Sequence, residues 1–182
     1  MPAYIAMLRG VNLGPHNRMK MEKLRDSLEA LGFTQVQTYI QSGNVVFATG
    51  KTSPLALMNK MEAKILADFG LSVSVITTTA AEMNTVIQNN PFLEQRGIDR
   101  TKLHVTFLSE TPRPPALEKL TLRQSGPDKF HCSGKSIYLY CPNGYGQTKL
   151  TNGLFERVLS VRATTRNWNT VNKLHEMARA CS

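Results

Sequence analysis

The chain has 182 residues, of which 41% are hydrophobic and 19% are charged, so it can bury one large core or two smaller ones. This composition excludes an intrinsically disordered chain, and no apolar run approaches the roughly 18 residues that a membrane-spanning helix needs. The formal net charge of +9 favours anionic partners such as nucleic acid or phosphorylated metabolites, although a basic surface also serves solubility alone. The positive charge is concentrated in two stretches, from Met1 to Arg25 and from Gly146 to the end.

The cysteines and the N-terminal stretch bear on the compartment. Cys132, Cys141 and Cys181 give an odd count, and Met1 to Leu13 lacks a signal-peptide pattern. We therefore expect a cytoplasmic protein with reduced thiols. The spacing of the cysteines and histidines matches no zinc pattern, so the sequence predicts no metal site and no cofactor.

Strands and helices alternate in the first half of the chain. Apolar patterning predicts strands at Ala3–Leu8, at residues 35–49, which form a hairpin, and at Leu71–Thr77. Helices are predicted from about Met21 to Gly32, from Ser53-Pro54 to Gly70, and from the capping box Thr79–Glu82 to a stop before Pro91. The first helix carries Arg18, Lys20 and Lys23 near its start, where the helix dipole favours anions.

The hairpin is expected to turn tightly at Ser42-Gly43, because glycine accepts a positive φ at little cost. In that register the facing pairs are Ile40 with Val45, Tyr39 with Val46, and Thr38 with Phe47. One face then carries Val36, Ile40, Val45 and Phe47, and the other carries Gln37, Tyr39, Gln41, Asn44 and Val46. We expect the first face to be buried and the second, mostly polar face to lie outside.

The second half of the chain repeats this order. Strands are predicted at Leu103–Leu108, Asp128–Cys132, Lys135–Cys141 and Val161–Thr165, with a turn at Ser133-Gly134, and helices at Pro114–Gln124, Lys149–Leu159 and around Val171–Met177. Short matches support a duplication, such as Leu-Ser-Val at 71–73 and again at 159–161. The order strand, helix, strand, strand, helix, strand predicts an α+β protein of two tandem ferredoxin-like (split βαβ) subdomains with mostly antiparallel sheets. The subdomains are expected at residues 1–97 and 98–182, the second with a C-terminal helix.

Four separated motifs carry a resemblance to a known family. They are LRGVNLG at residues 8–14, TYIQSGNVVF at 38–47, TKLTN at 148–152 and ATTRNWNTV at 163–171. On these motifs the chain resembles a widespread, mainly bacterial family of uncharacterised proteins, domain of unknown function 1697, over nearly its whole length. The resemblance implies two ferredoxin-like subdomains and implies no established activity, substrate or catalytic residue.

The first candidate site lies where the first strand ends. In a ferredoxin-like sheet the first and third strands are antiparallel neighbours, which brings Arg9 and Asn12 near the turn and beside the first helix. The turn contributes Gln41, Ser42 and Asn44. An arginine, amides, a hydroxyl and backbone N–H groups together favour an anion or another polar ligand. The alternative is that Arg9 and Asn12 only hold the turn in place.

The second candidate site precedes the last helix. Trp168, the single tryptophan, would stack on a base with Arg166 and Asn167 beside it, or it anchors the helix while Thr and Asn side chains cap it. Lys149 follows a glycine-rich stretch without the spacing of a phosphate-binding loop, so a simple turn into a helix is the alternative there.

Two classes of function stay open. We favour binding of a phosphate-bearing or other anionic ligand, a nucleotide or RNA, in a basic cleft between the subdomains that Arg9 and Arg166 line. The alternative is an enzyme that acts on a small polar metabolite in the same cleft. Catalytic patterns are weak, because His131 and Cys132 are neighbours on one strand and point to opposite faces. The sequence predicts no membrane partner and does not define the oligomeric state.

Overall fold

The structure is a computed structural model that describes residues 1–181. The first half contains β1 (Ala3–Leu8), α1 (Met21–Glu29), β2 (Thr34–Tyr39), β3 (Asn44–Ala48), α2 (Pro54–Phe69), β4 (Val75–Thr79) and α3 (Ala80–Gln88). The second half contains β5 (Leu103–Leu108), α4 (Pro114–Leu122), β6 (Lys129–Ser133), β7 (Ser136–Tyr140), α5 (Asn152–Leu159), β8 (Ala163–Asn167) and α6 (Trp168–Ala180). Each half therefore follows the predicted order, including the predicted helix after its last strand.

Each half forms one four-stranded sheet in which all neighbouring strands are antiparallel. The strand orders are β2-β3-β1-β4 and β6-β7-β5-β8, so the predicted pair of ferredoxin-like subdomains is confirmed. Equivalent hydrogen bonds recur in the two halves. The N–H of Leu8 donates to the carbonyl of Gly43 at 2.8 Å, and the N–H of Leu108 donates to that of Lys135 at 2.9 Å.

The side chains of β1 point alternately to the two faces of the sheet, and one set of them lies in the core of the first half. Tyr4, Ala6 and Leu8 lie in one apolar cluster with Leu24 of α1 and Met61 of α2. Side chains of the opposite parity on β1 are also fully buried. Both faces of this central strand are therefore covered, and the loop that follows it starts from a buried strand.

The predicted helix ends are formed by the expected groups. The Ser53 hydroxyl accepts a hydrogen bond from the Ala56 N–H at 3.1 Å, and Gly70 ends α2 with a φ of 66°. Thr79 and Glu82 form the predicted capping box: the Glu82 N–H donates to the Thr79 hydroxyl at 3.1 Å, and the Thr79 N–H donates to the Glu82 carboxylate at 2.9 Å.

The register of the first hairpin differs from the prediction by two residues. Tyr39 pairs with Asn44 and Thr38 pairs with Val45, so a four-residue loop, residues 40–43, replaces the two-residue turn. A shift of two keeps each side chain on its predicted face, and Val45 is buried in the core as expected. Ile40 is the exception, because it leaves the strand and becomes 49% exposed.

Other predicted boundaries also move. Ser133 pairs with Ser136, so the second turn is Gly134-Lys135 and not Ser133-Gly134. α5 begins at Asn152 and not at Lys149, because the Thr151 hydroxyl accepts from the Leu154 N–H at 3.2 Å and caps the helix there. The strand predicted from Leu71 begins at Val75, and the strand predicted from Val161 is Ala163–Asn167.

The chain divides into two compact units. The first comprises Met1–Asn84 together with the C-terminal stretch that starts at Lys173, and the second comprises Thr85–Asn172. The predicted division at residues 97 and 98 stays a prediction. Within residues 1–181, no helix combines the length and the hydropathy needed to cross a lipid bilayer.

Candidate functional site

The end of β1 lies beside the hairpin loop, as predicted. Met7 pairs with Asn44 in the register of β1 and β3, and Arg9 follows half-buried, with its backbone N–H bonded to the Ser74 carbonyl at 2.9 Å. The chain then enters the connecting segment between β1 and α1, residues 9–20, which we call the β1–α1 loop. The hairpin loop and the β1–α1 loop therefore start from adjacent strands of one sheet.

The side chain of Asn12 joins the two loops. Its Nδ2 donates to the carbonyl of Gln41 at 2.7 Å and to that of Met19 at 2.9 Å, and its Oδ1 accepts from the Met19 N–H at 2.8 Å. Asn12 also adopts a φ of 57°, a left-handed conformation that asparagine tolerates better than most residues. These contacts agree with a role for Asn12 in holding the turn.

Asn44 and Ser42 close the hairpin loop from inside. Asn44 is fully buried, and its Nδ2 donates to the Tyr39 carbonyl at 3.1 Å and to the Ser42 hydroxyl at 2.9 Å. The expectation that Asn44 lies on an outer, polar face is therefore wrong. A buried amide needs partners, and closing a loop wider than two residues provides them.

A pocket of about 630 Å³ opens between the two loops and the start of α1. It is lined by Asn12, Gly14, Arg18, Met19, Lys20 and Gln41, and we call it the loop pocket. Of the predicted site residues, the loop pocket includes Asn12 and Gln41. It adds Arg18 and Lys20, which were not predicted as site residues; the signal that pointed to them was a cluster of cations at a helix start, where the dipole prefers anions.

The start of α1 has no side-chain cap. Lys20 is the N-cap residue and makes no side-chain hydrogen bond to the first turn, in contrast to Ser53 and Thr151 at the starts of α2 and α5. The first turn of a helix presents backbone N–H groups that lack intrahelical acceptors. Arg18 and Lys20 are both exposed and line the loop pocket, and Lys20 directly precedes the first residue of α1.

The second unit contains the remaining predicted site residues. Arg166 is buried, and its Nη1 donates to the Thr164 hydroxyl at 2.8 Å and to the Thr165 carbonyl at 2.9 Å. Burial lowers the pKa of Arg166 to about 10, which leaves it protonated at neutral pH. Lys149 is exposed in the segment before α5. A shared cleft lined by Arg9 and Arg166 stays a prediction.

Asn167 and Trp168 start the last helix. The Asn167 Oδ1 accepts from the Thr170 N–H at 2.8 Å, the hydrogen bond of an N-cap. Trp168 is the first residue of α6 and is only 6% exposed. These positions agree with capping and anchoring, since a stacking platform for a base needs an accessible ring.

One histidine and the three cysteines lie where burial shifts their pKa values. Burial lowers the pKa of His104, which stacks on Tyr145 with ring centroids 4.8 Å apart. The three cysteines are not in disulfides, and burial raises the pKa of each thiol. Among residues 1–181, no group of three or more His, Cys, Asp or Glu side chains is placed to hold a metal ion. The loop pocket is therefore the site whose chemistry is best defined.

Comparison with known proteins places this fold in a family. The chain is similar to a solved structure, the conserved bacterial protein SP0830 from Streptococcus pneumoniae, with a TM-score of 0.75 and 24% identity over 97% of this chain and 98% of that one. This similarity shows the fold alone. No curated protein matches the chain. The family model described as protein of unknown function (DUF1697) matches residues 1–138, so the chain belongs to the DUF1697 family.

Proposed function

We propose that this protein binds a small phosphate-bearing ligand in the loop pocket. The observation that carries the proposal is the convergence of two exposed cations, Arg18 and Lys20, on a helix start that no N-cap side chain occupies. Helix N-termini favour anions, and guanidinium groups bind phosphate oxygens through charge-assisted hydrogen bonds. One exposed acid, Glu22, lies in the first turn, so the cations outnumber the acid there.

The size of the loop pocket favours a small ligand over a polymer. Its volume of about 630 Å³ falls within the range of about 300–1,000 Å³ that is typical of small-molecule sites. Its lining also includes the polar residues Asn12 and Gln41 beside the two cations, so a ligand could be oriented as well as attracted. Asn12 fixes the relative position of the two loops, which reduces the ordering cost of binding.

The proposal is tested by titrating ¹⁵N-labelled protein with inorganic phosphate and following the backbone amide resonances. We expect the largest shifts at Met21 and Glu22, in the first turn of α1. Arg18→Ala and Lys20→Ala should each weaken binding at least about fivefold, because each removes a charged donor.

Lys51→Ala is the matched control, because Lys51 is an exposed lysine of the same unit outside the loop pocket. It should leave the phosphate affinity unchanged. If phosphate shifts resonances elsewhere and not in α1, or if the Arg18 and Lys20 variants bind like the wild type, the proposed function is wrong.

A further inference from the structure

Ile40 has a backbone conformation that does not suit its side chain. Its φ is 50°, in the left-handed region that β-branched residues rarely adopt, and its side chain is 49% exposed. Asparagine or glycine would relax the backbone at this position, and a strand position would bury the side chain. Ile40 has neither a relaxed backbone nor a buried side chain, so fold stability does not account for an isoleucine here. Such backbone strain is typical of binding sites.

A second aliphatic side chain lies on the neighbouring loop. Leu13 is 74% exposed and stands between Asn12 and Gly14, which both line the loop pocket. Ile40 directly precedes Gln41, another lining residue. The 2.7 Å hydrogen bond from Asn12 to the Gln41 carbonyl holds these two chain segments together, so Leu13 and Ile40 each stand next in the chain to a residue that lines the pocket. We call these two side chains the apolar rim.

We propose that the ligand of the loop pocket is a phosphate monoester whose organic group is apolar or aromatic. Its phosphate lies at Arg18, Lys20 and the start of α1, and its organic group covers the apolar rim. Small-molecule sites usually combine apolar contact area with a few polar groups that fix orientation, and the two loops provide both. This inference rests on the proposed anion site and adds the class of ligand.

The test compares phenyl phosphate with methyl phosphate by isothermal titration calorimetry. The two esters present the same phosphate group and differ in apolar area. We expect phenyl phosphate to bind about tenfold more tightly, since the ring removes part of the apolar rim from water.

Leu13→Asn and Ile40→Asn should each reduce this preference to about twofold or less. Ile40→Asn should also raise the melting temperature by about 2 °C, because asparagine tolerates the left-handed backbone. Leu122→Asn is the control, since Leu122 is 86% exposed at the end of α4 in the other unit. The Leu13 variant changes a highly exposed side chain and keeps the test decisive if the Ile40 variant does not fold.

The outcomes separate the two proposals. If both esters bind equally, the apolar rim is irrelevant and this inference is overturned, while the anion site stands. If the preference survives in both rim variants, the inference is also overturned. If neither ester binds, the proposed function fails, and the ligand class fails with it.

Discussion

Gly43 occupies a position where the backbone and the packing both require glycine. Its φ is 80°, and an added Cβ would lie 2.6 Å from Val11 Cγ2 and 2.7 Å from Leu8 Cβ. We expect Gly43→Ala to destabilise the protein by about 2–4 kcal/mol, the sum of a backbone cost and a packing cost. Urea denaturation measures the free energy of unfolding.

Gly134 is the matched control for that prediction. It lies in the second hairpin turn with a φ of 57°, but an added Cβ would meet no atom within 4 Å. Gly134→Ala should therefore cost only the backbone part, about 1 kcal/mol. Equal losses at Gly43 and Gly134 would show that close packing around Gly43 is unimportant.

The amide of Asn12 gives a second residue-level prediction. Its Nδ2 faces two carbonyl oxygens, so Asn12→Asp would replace a donor by a carboxylate oxygen with nearly the same shape. We expect a loss of about 1–3 kcal/mol in the free energy of unfolding. Asn59→Asp, at an exposed position of α2, should change it by less than about 0.5 kcal/mol. A stable Asn12→Asp protein would contradict the role of Asn12 in joining the loops.

At the level of elements, substitutions at the start of α6 distinguish a capping role of Asn167 from a ligand-binding role. Asn167 caps this helix, so Asn167→Ala should cost about 1 kcal/mol, while Asn167→Asp should keep the stability because aspartate caps equally well. Thermal unfolding of the two variants measures the difference. If Asn167→Ala unfolds at the wild-type temperature, the cap contributes nothing, and another role for Asn167 would have to be sought.

Elements whose ends are determined by local chemistry were predicted well. Ser53 and Gly70 bound α2, and Thr79 with Glu82 opens α3, because each signal acts through hydrogen bonds or φ values of the residues themselves. The topology followed from the order of these elements, because in the split βαβ arrangement both helices pack on one face of a single sheet.

The hairpin loop could not be predicted from strand patterning, because side-chain hydrogen bonds, one of them from the distant Asn12, hold it. Local β propensity places Ile40 in a strand, but in the structure Asn44 donates to the Tyr39 carbonyl and Asn12 donates to the Gln41 carbonyl, and these hydrogen bonds hold the four-residue loop. For the same reason the sequence predicted Asn12 and Gln41 at the site but not Gly14 or Lys20. Those residues reach the loop pocket only through the path of the β1–α1 loop.

At the level of the whole molecule, the net charge of +9 and the loop pocket should behave differently towards salt. Binding of a generic RNA, if it relies on several phosphate contacts, should fall by orders of magnitude between about 50 and 200 mM NaCl, because counterion release drives it. Phosphate bound in the loop pocket should lose much less affinity, since one anionic group is held there. Fluorescence anisotropy of a labelled RNA measures the first effect and calorimetry with phosphate the second. Tight, salt-insensitive and sequence-selective RNA binding would contradict this account.

The most direct test of the anion site is a crystal structure of the protein with 4-iodophenyl phosphate, in which anomalous scattering locates the iodine. The account predicts phosphate density within hydrogen-bonding distance of the Arg18 guanidinium or the first N–H groups of α1, and an iodine peak against Leu13 and Ile40. Density for the ester at another surface, or an empty loop pocket at a ligand concentration that saturates binding in solution, would contradict it.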